Sequence, residues 1–135
     1  MLGEQFAEER GKIIGNRVLS VDNPGPKVEA SFQDAGKMFG IEMTNWGTYS
    51  SVPRLGGGLY GEGQGVVMTR DGEMATWTGQ GVGRFTGHGG AVSYRGSLYF
   101  QTASKKLERL NGIVGVYEFE VDENGNTHGK IWEWK

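Results

Sequence analysis

Apolar and polar residues alternate along most of this chain, with a period of two. In "KVEASFQ" Val28, Ala30 and Phe32 share one face, and Lys27, Glu29, Ser31 and Gln33 share the other. That pattern marks a strand with one face buried and one in water. "KIIGNRVLSVD" reads as a strand before it, closed by the turn formers Asn23-Pro24-Gly25-Pro26. "DAGKMFG" breaks the alternation, and "IEMTNWGTYSS" forms the next strand, ending near Pro53 and Gly56-Gly57-Gly58. Further along, Val92, Tyr94, Leu98 and Phe100 take one face of "AVSYRGSLYFQT". "IVGVYEFEV" and "THGKIWEWK" pair around the turn Asp122–Asn126, and alternation turns Arg84, Arg95, Glu118 and Glu120 outward. Residues Met1–Glu9 suggest a short helical turn or a loose arm. "ASKKLERLNG" is the one helical piece, with Leu107 and Leu110 on one side and Asn111-Gly112 ending it.

Two glycine-alternating runs, "GEGQG" at Gly61–Gly65 and "GQGVG" at Gly79–Gly83, flank Asp71-Gly72, a preferred two-residue hairpin turn. With Arg70 opposite Glu73, Tyr60 faces Gly83, Glu62 faces Gly81 and Gln64 faces Gly79. Side chains then lie across from glycines, which would curve the sheet and leave space above Gly79, Gly81 and Gly83. Tyr60, Glu62, Gln64 and Val66 share a face with Trp77 in this register, and the large rings favour that face as the interior. Glu62 then has two placements open. Either it lines a cavity with Gln64, or a rim position or a bulge turns it to solvent, because a slip of one residue inverts a strand's faces.

The pattern gives about eight strands joined mostly by short turns, with no long helix for parallel crossovers. It predicts an all-β single domain over 1–135: an eight-stranded antiparallel up-and-down barrel, calycin-like, with one short helix. A two-sheet β-sandwich is the alternative. A barrel of this size encloses packed side chains or one small ligand.

Composition narrows the function classes. The chain has 135 residues, a formal net charge of −2 and no basic stripe, so nucleic acid is not an expected partner. It has no cysteine, which excludes disulfides and thiolate chemistry and suits a reducing, cytoplasmic setting. The N-terminal stretch has no apolar core, so neither a signal peptide nor a membrane span is expected. The two histidines, His88 and His128, have no metal-site spacing; no metal and no cofactor are expected. "GEGQGV" fits a dinucleotide fingerprint only superficially, because a strand and not a helix follows it. In "KIWEWK" Trp132 and Trp134 share a face, to close the core or to form an aromatic wall for a ligand.

The run from Gly79 to Trp134, with its "KLERLNG" leucine turn and "DENGN" acidic-glycine turn, resembles the second half of small barrels related to allene oxide cyclase. It is also similar to bacterial domains of unknown function that share that barrel. The resemblance implies an eight-stranded barrel, a homo-oligomer and a cavity; the plant cyclases hold an unsaturated epoxy fatty acid in theirs. None of their catalytic motifs can be matched here residue by residue, so their activity is not carried over.

The expected function is the binding of a small apolar or amphipathic molecule in the barrel, with candidate ligand contacts at Tyr60, Glu62, Gln64, Trp77, Tyr94 and Phe100. A cyclase or isomerase using Glu62 as acid or base is one alternative. A packed barrel acting through homo-oligomerisation or protein partners is the other.

Overall fold

The structure is a computed structural model that describes every residue except His88. Its strands are β1 Leu2–Ser20, β2 Lys27–Met38, β3 Ile41–Pro53, β4 Leu59–Thr69, β5 Met74–Phe85, β6 Val92–Gln101, β7 Val114–Val121 and β8 Asn126–Trp134. All neighbours are antiparallel, and β8 pairs back onto β1 to close an up-and-down barrel in chain order. Closure removes most of the free sheet edge that eight twisted strands would otherwise carry, leaving β1 beyond Ile13 without a partner on its β8 side. The barrel and its strand order agree with the sequence pattern; three local expectations change.

The first concerns the N-terminus, which is neither helical nor loose. Leu2–Ser20 is one long strand, and a register shift between Gln5 and Ala7 lets Phe6 and Ala7 both bury. β2 likewise runs on through Asp34 to Met38 and turns only at Phe39 and Gly40. The helical piece shrinks to a 3-10 helix at Glu108–Gly112.

The second concerns the glycine hairpin. Gly72 N donates to Thr69 O at 3.0 Å and Thr69 N donates to Glu73 O at 2.8 Å, closing a loop of Arg70, Asp71 and Gly72. Gly72 sits at φ 89°, the left-handed position that ends a three-residue hairpin loop. The extra loop residue shifts the register by one. Gly61 pairs with Gly81 and Gly63 with Gly79, so glycine meets glycine, and Glu62 pairs with Gln80. The odd positions of β4 point inward, turning Tyr60, Glu62 and Gln64 to the outer surface.

The third concerns β8. Ile131 is buried in the core, so its neighbours Trp132 and Trp134 face outward, and Trp134 is 58% exposed. They neither close the core nor wall a cavity. Arg95 and Glu118 do lie outside, paired at 2.9 Å.

The two barrel ends differ. One end is plugged by fully buried Leu107 and Leu110 with Ile113, Met38 and Phe6. There the Phe6 and Phe39 rings stack at 5.0 Å, and the Arg109 guanidinium lies 4.1 Å from the Phe39 centroid. The other end is ringed by the loops at 21–26, 54–58, 86–91 and 122–125 and stays open. His88, in the third of these loops, lies outside the described residues.

Candidate functional site inside the barrel

The glycines of β3, β4 and β5 make room for rings. A Cβ on Gly65 would stand 2.4 Å from the Trp77 ring, one on Gly47 2.4 Å from Phe32, and one on Gly83 2.6 Å from Tyr94. Phe32 and Trp77 stack with centroids 6.4 Å apart, and Tyr49 meets Tyr94 edge-on at 5.6 Å. The space over the glycines is therefore filled by aromatic side chains of neighbouring strands.

Beneath these rings lies a row of buried polar groups supplied by consecutive strands: Thr127 from β8, Glu9 from β1, Asp34 from β2 and Asn45 from β3. Their placement follows from the register. Asp34 sits opposite Asn45 on one side and Gly11 on the other, and Gly11 sits opposite Thr127. A Cβ on Gly11 would stand 2.3 Å from Asp34 Oδ1, so only glycine lets Thr127 Oγ1 reach across β1 and donate to that oxygen. Glu9 is flanked by Gly129 and Gly36, which leaves its side chain room to bend along the wall.

The bonding order along the row is fixed from one end. The Trp77 indole can only donate, and it does so to Asn45 Oδ1 at 2.9 Å. That turns the Asn45 amide nitrogen toward Glu9, where it donates to both carboxyl oxygens at 3.1 Å. Glu9 is 6% exposed and Asp34 1% exposed. Burial, then the neighbouring Asp34 charge and a hydrogen bond to Asp34, hold the Glu9 carboxyl well above its usual range. Burial also raises Asp34, but hydrogen bonds from Thr127 and Glu9 pull it back. Both carboxyls are thus shifted toward the protonated form, Glu9 well above its usual range. Asp34 Oδ2 receives no N–H or hydroxyl hydrogen bond, and the Glu9 carboxyl proton is the group able to satisfy it.

An internal cavity of about 70 Å³ lies against this row, with Glu9, Asn45, Trp77, Tyr49, Tyr94 and Tyr117 in its wall. Burial raises the Tyr49 and Tyr117 hydroxyls, Tyr117 to about 12, so both stay protonated donors. Tyr49 and Tyr94 also form the floor of a basin of about 490 Å³ at the open end, walled by Val28, Pro53, Leu59, Phe85 and Val92. The Tyr94 hydroxyl is tied to Ser51 Oγ at 2.7 Å. Two tyrosines therefore separate the mouth from the polar row.

Of the residues singled out by sequence, Trp77, Tyr94 and Phe100 are buried in the interior and share the cavity wall. Tyr60 and Gln64 are not brought to them, and Glu62 borders the same cavity at its strand position with an exposed side chain. Glu62 and Gln64 are exposed, and the Tyr60 hydroxyl lies on the outer face 3.4 Å from Glu62 and from Gln80. The polar row itself had a signal. Continuing the period of two past Phe32 reaches Asp34, and past Met43 it reaches Asn45, each a polar residue on an apolar face. His128 bonds Glu8 at 2.7 Å on the outer face, away from Asp122 and Glu123. Among the described residues, no three His, Asp or Glu side chains converge as a metal site would need.

No protein-family model matches the chain, and no curated protein does. Solved structures do. A protein of unknown function from Clostridium acetobutylicum superposes with a TM-score of 0.83 at 13% identity, covering 96% of each chain. A conserved protein of unknown function from Rhodopseudomonas palustris gives 0.81 at 12%, covering 98% of this chain and 97% of the other. A beta-barrel like protein from Acinetobacter baumannii gives 0.82 at 12%, covering 100% and 96%. These likenesses support the barrel along its whole length and carry no activity.

Proposed function

We propose that this barrel binds a small apolar or amphipathic molecule that enters at the open end and rests on Tyr49, Ser51 and Tyr94. The observation that carries this reading is the mouth basin of about 490 Å³, apolar-walled and floored by two tyrosines that also roof the polar cavity below. Its size lies within the usual range for small-molecule sites, and its lining has the usual mix of many apolar and few polar groups. Trp77 and Phe100 belong to the deeper wall; Tyr60, Glu62 and Gln64 lose their part because their side chains face outward. The cyclase or isomerase alternative loses Glu62 for the same reason, and the acids inside the barrel are Glu9 and Asp34. A homo-oligomer and a cytoplasmic setting belong to the same proposal, the former supported by the unpaired stretch of β1 beyond Ile13.

The test is binding of 1-anilinonaphthalene-8-sulfonate, read by its fluorescence, to the native protein and to Val28→Trp. Val28 lines the mouth and is only half-buried, so an indole there fills the basin without entering the core. Saturable binding to the native barrel that falls about tenfold or more in the variant, at unchanged melting temperature, is expected. Equal binding by both proteins would place the probe elsewhere and remove the mouth as the site.

A further inference from the structure

The charge inside this barrel has one sign. Glu9 and Asp34 are the acidic side chains buried in the interior, and no Lys or Arg is buried with them among the described residues, Lys130 bordering the cavity from β8. Arg10 and Lys12 are exposed on β1, and His128 and Lys130 lie on the outer face of β8 beside Glu8. The walls facing the two acids are aromatic: Phe32, Tyr49, Trp77, Tyr94, Tyr117 and Phe119. Asp34 is 1% exposed and sits behind that wall, hydrogen-bonded to Glu9, which itself borders the cavity. A buried carboxyl in the wall of an aromatic-lined cavity, with a second acid behind it, is complementary to a cation carrying N–H donors. The space has two compartments in line: about 70 Å³ beside Glu9, and about 490 Å³ with apolar walls beyond Tyr49 and Tyr94. The first accepts a head group of a few heavy atoms, and the second accepts an apolar body.

We propose that the ligand is an amphipathic amine, its ammonium head against Glu9 in the aromatic cavity and its apolar body in the mouth. This rests on the ligand-binding reading and adds the charge of the head group. The ammonium donates to the Glu9 carboxylate, and its charge lies against the Trp77 and Tyr49 rings. The proton that Glu9 holds in the empty barrel leaves to solvent when the ammonium takes its place. The groups facing Glu9 are Asp34 from β2, Asn45 and Tyr49 from β3, Trp77 from β5 and Tyr117 from β7, with His128 of β8 behind the wall. Burial holds a proton on Glu9 most strongly among these groups, so the released proton is assigned to Glu9.

Three ligands with one tail separate the ideas: octylammonium, 1-octanol and octanoate, titrated into the native protein by calorimetry. Octylammonium is expected to bind about tenfold or more tightly than octanol, with octanoate weakest. Near pH 6, titrations in buffers of different ionisation enthalpy should read a net proton release on octylammonium binding, and none in Glu9→Gln. Asp34→Asn should weaken octylammonium and leave octanol unchanged. If octanol or octanoate binds as tightly as octylammonium, the mouth still binds ligands and the amine inference fails alone. If none of the three binds, both readings fail. Should Glu9→Gln not fold, the head-group series on the native protein decides by itself.

Discussion

In the unfolded chain Glu9 titrates near 4.5, whereas in the barrel burial and the Asp34 charge hold it well above that value. Between those two pKa values the folded state binds more protons than the unfolded state. The stability that Glu9 contributes is therefore fully present below pH 4.5 and is lost as pH rises through its folded pKa, by up to about 1.4 kcal/mol per pH unit for one proton. Asp34 shifts in the same direction and steepens the fall. The exposed carboxylates held low by their partners, Glu42 by Arg70 and Asp71 by Lys106, act in the opposite sense and only at lower pH. Urea midpoints of the native protein should fall between pH 5 and pH 8, and Glu9→Gln should flatten the profile. Parallel profiles for the two proteins would mean that Glu9 keeps no extra proton in the fold. Part of this was legible in the sequence. Asp34 and Asn45 extend apolar faces by the period of two, but Glu9 was hidden. It sits in "QFAEER", where the irregularity near Gln5 and Ala7 and the run of charges mask any alternation.

The glycine hairpin shows what a single loop residue decides. Asp71-Gly72 correctly marks a turn between β4 and β5, and the inward face of β5, with Ala75 and Trp77, follows from its ring. The face of β4 does not follow, because a two-residue loop and a three-residue loop ending in glycine share the same dipeptide. The three-residue loop forms, and Glu62 turns out. Inverted β8 has a similar cause: the indoles of Trp132 and Trp134 carry more apolar area than Ile131, yet the isoleucine fills the space beside Gly115. The glycines themselves serve packing. Alanine at position 65 would bring its Cβ to 2.4 Å from Trp77 Cε2 and 2.5 Å from Nε1, against a buried ring that also bonds Asn45. Gly65→Ala should cost about 1–3 kcal/mol through overpacking. Gly15→Ala, where a Cβ meets nothing within 4 Å, should stay within about 0.5 kcal/mol of the native protein. Urea denaturation of both variants checks this, and equal midpoints would show that the indole moves aside freely.

At the scale of the whole molecule, the plugged end and the open end divide the labour between stability and access. Leu107 and Leu110 seal one end, so the proposed ligand path runs through the other. The same open end carries an unpaired stretch of an otherwise closed sheet. β8 stops pairing with β1 at Lys12, and the last bond across is Ile13 N to Gly125 O at 2.8 Å. From there to Ser20, β1 pairs with β2 alone and shows its other edge to solvent, with Ile14 61% exposed and Val18 63% exposed. An unpaired edge carrying apolar side chains is a template for another strand, and proteins that stay monomeric usually blunt it with lysine or proline. Here lysine is absent between Ile13 and Ser20, and the one basic residue, Arg17, pairs with Glu29 of β2 at 3.4 Å. The proposed homo-oligomer would pair this edge with its copy in another molecule. Ile14→Lys should then lower the molecular mass seen by sedimentation equilibrium to that of the 14.7 kDa chain, with little change in melting temperature, because Ile14 lies outside the core. An unchanged assembly would move the interface to another surface, and a native protein that already sediments as a single chain would remove the oligomer altogether.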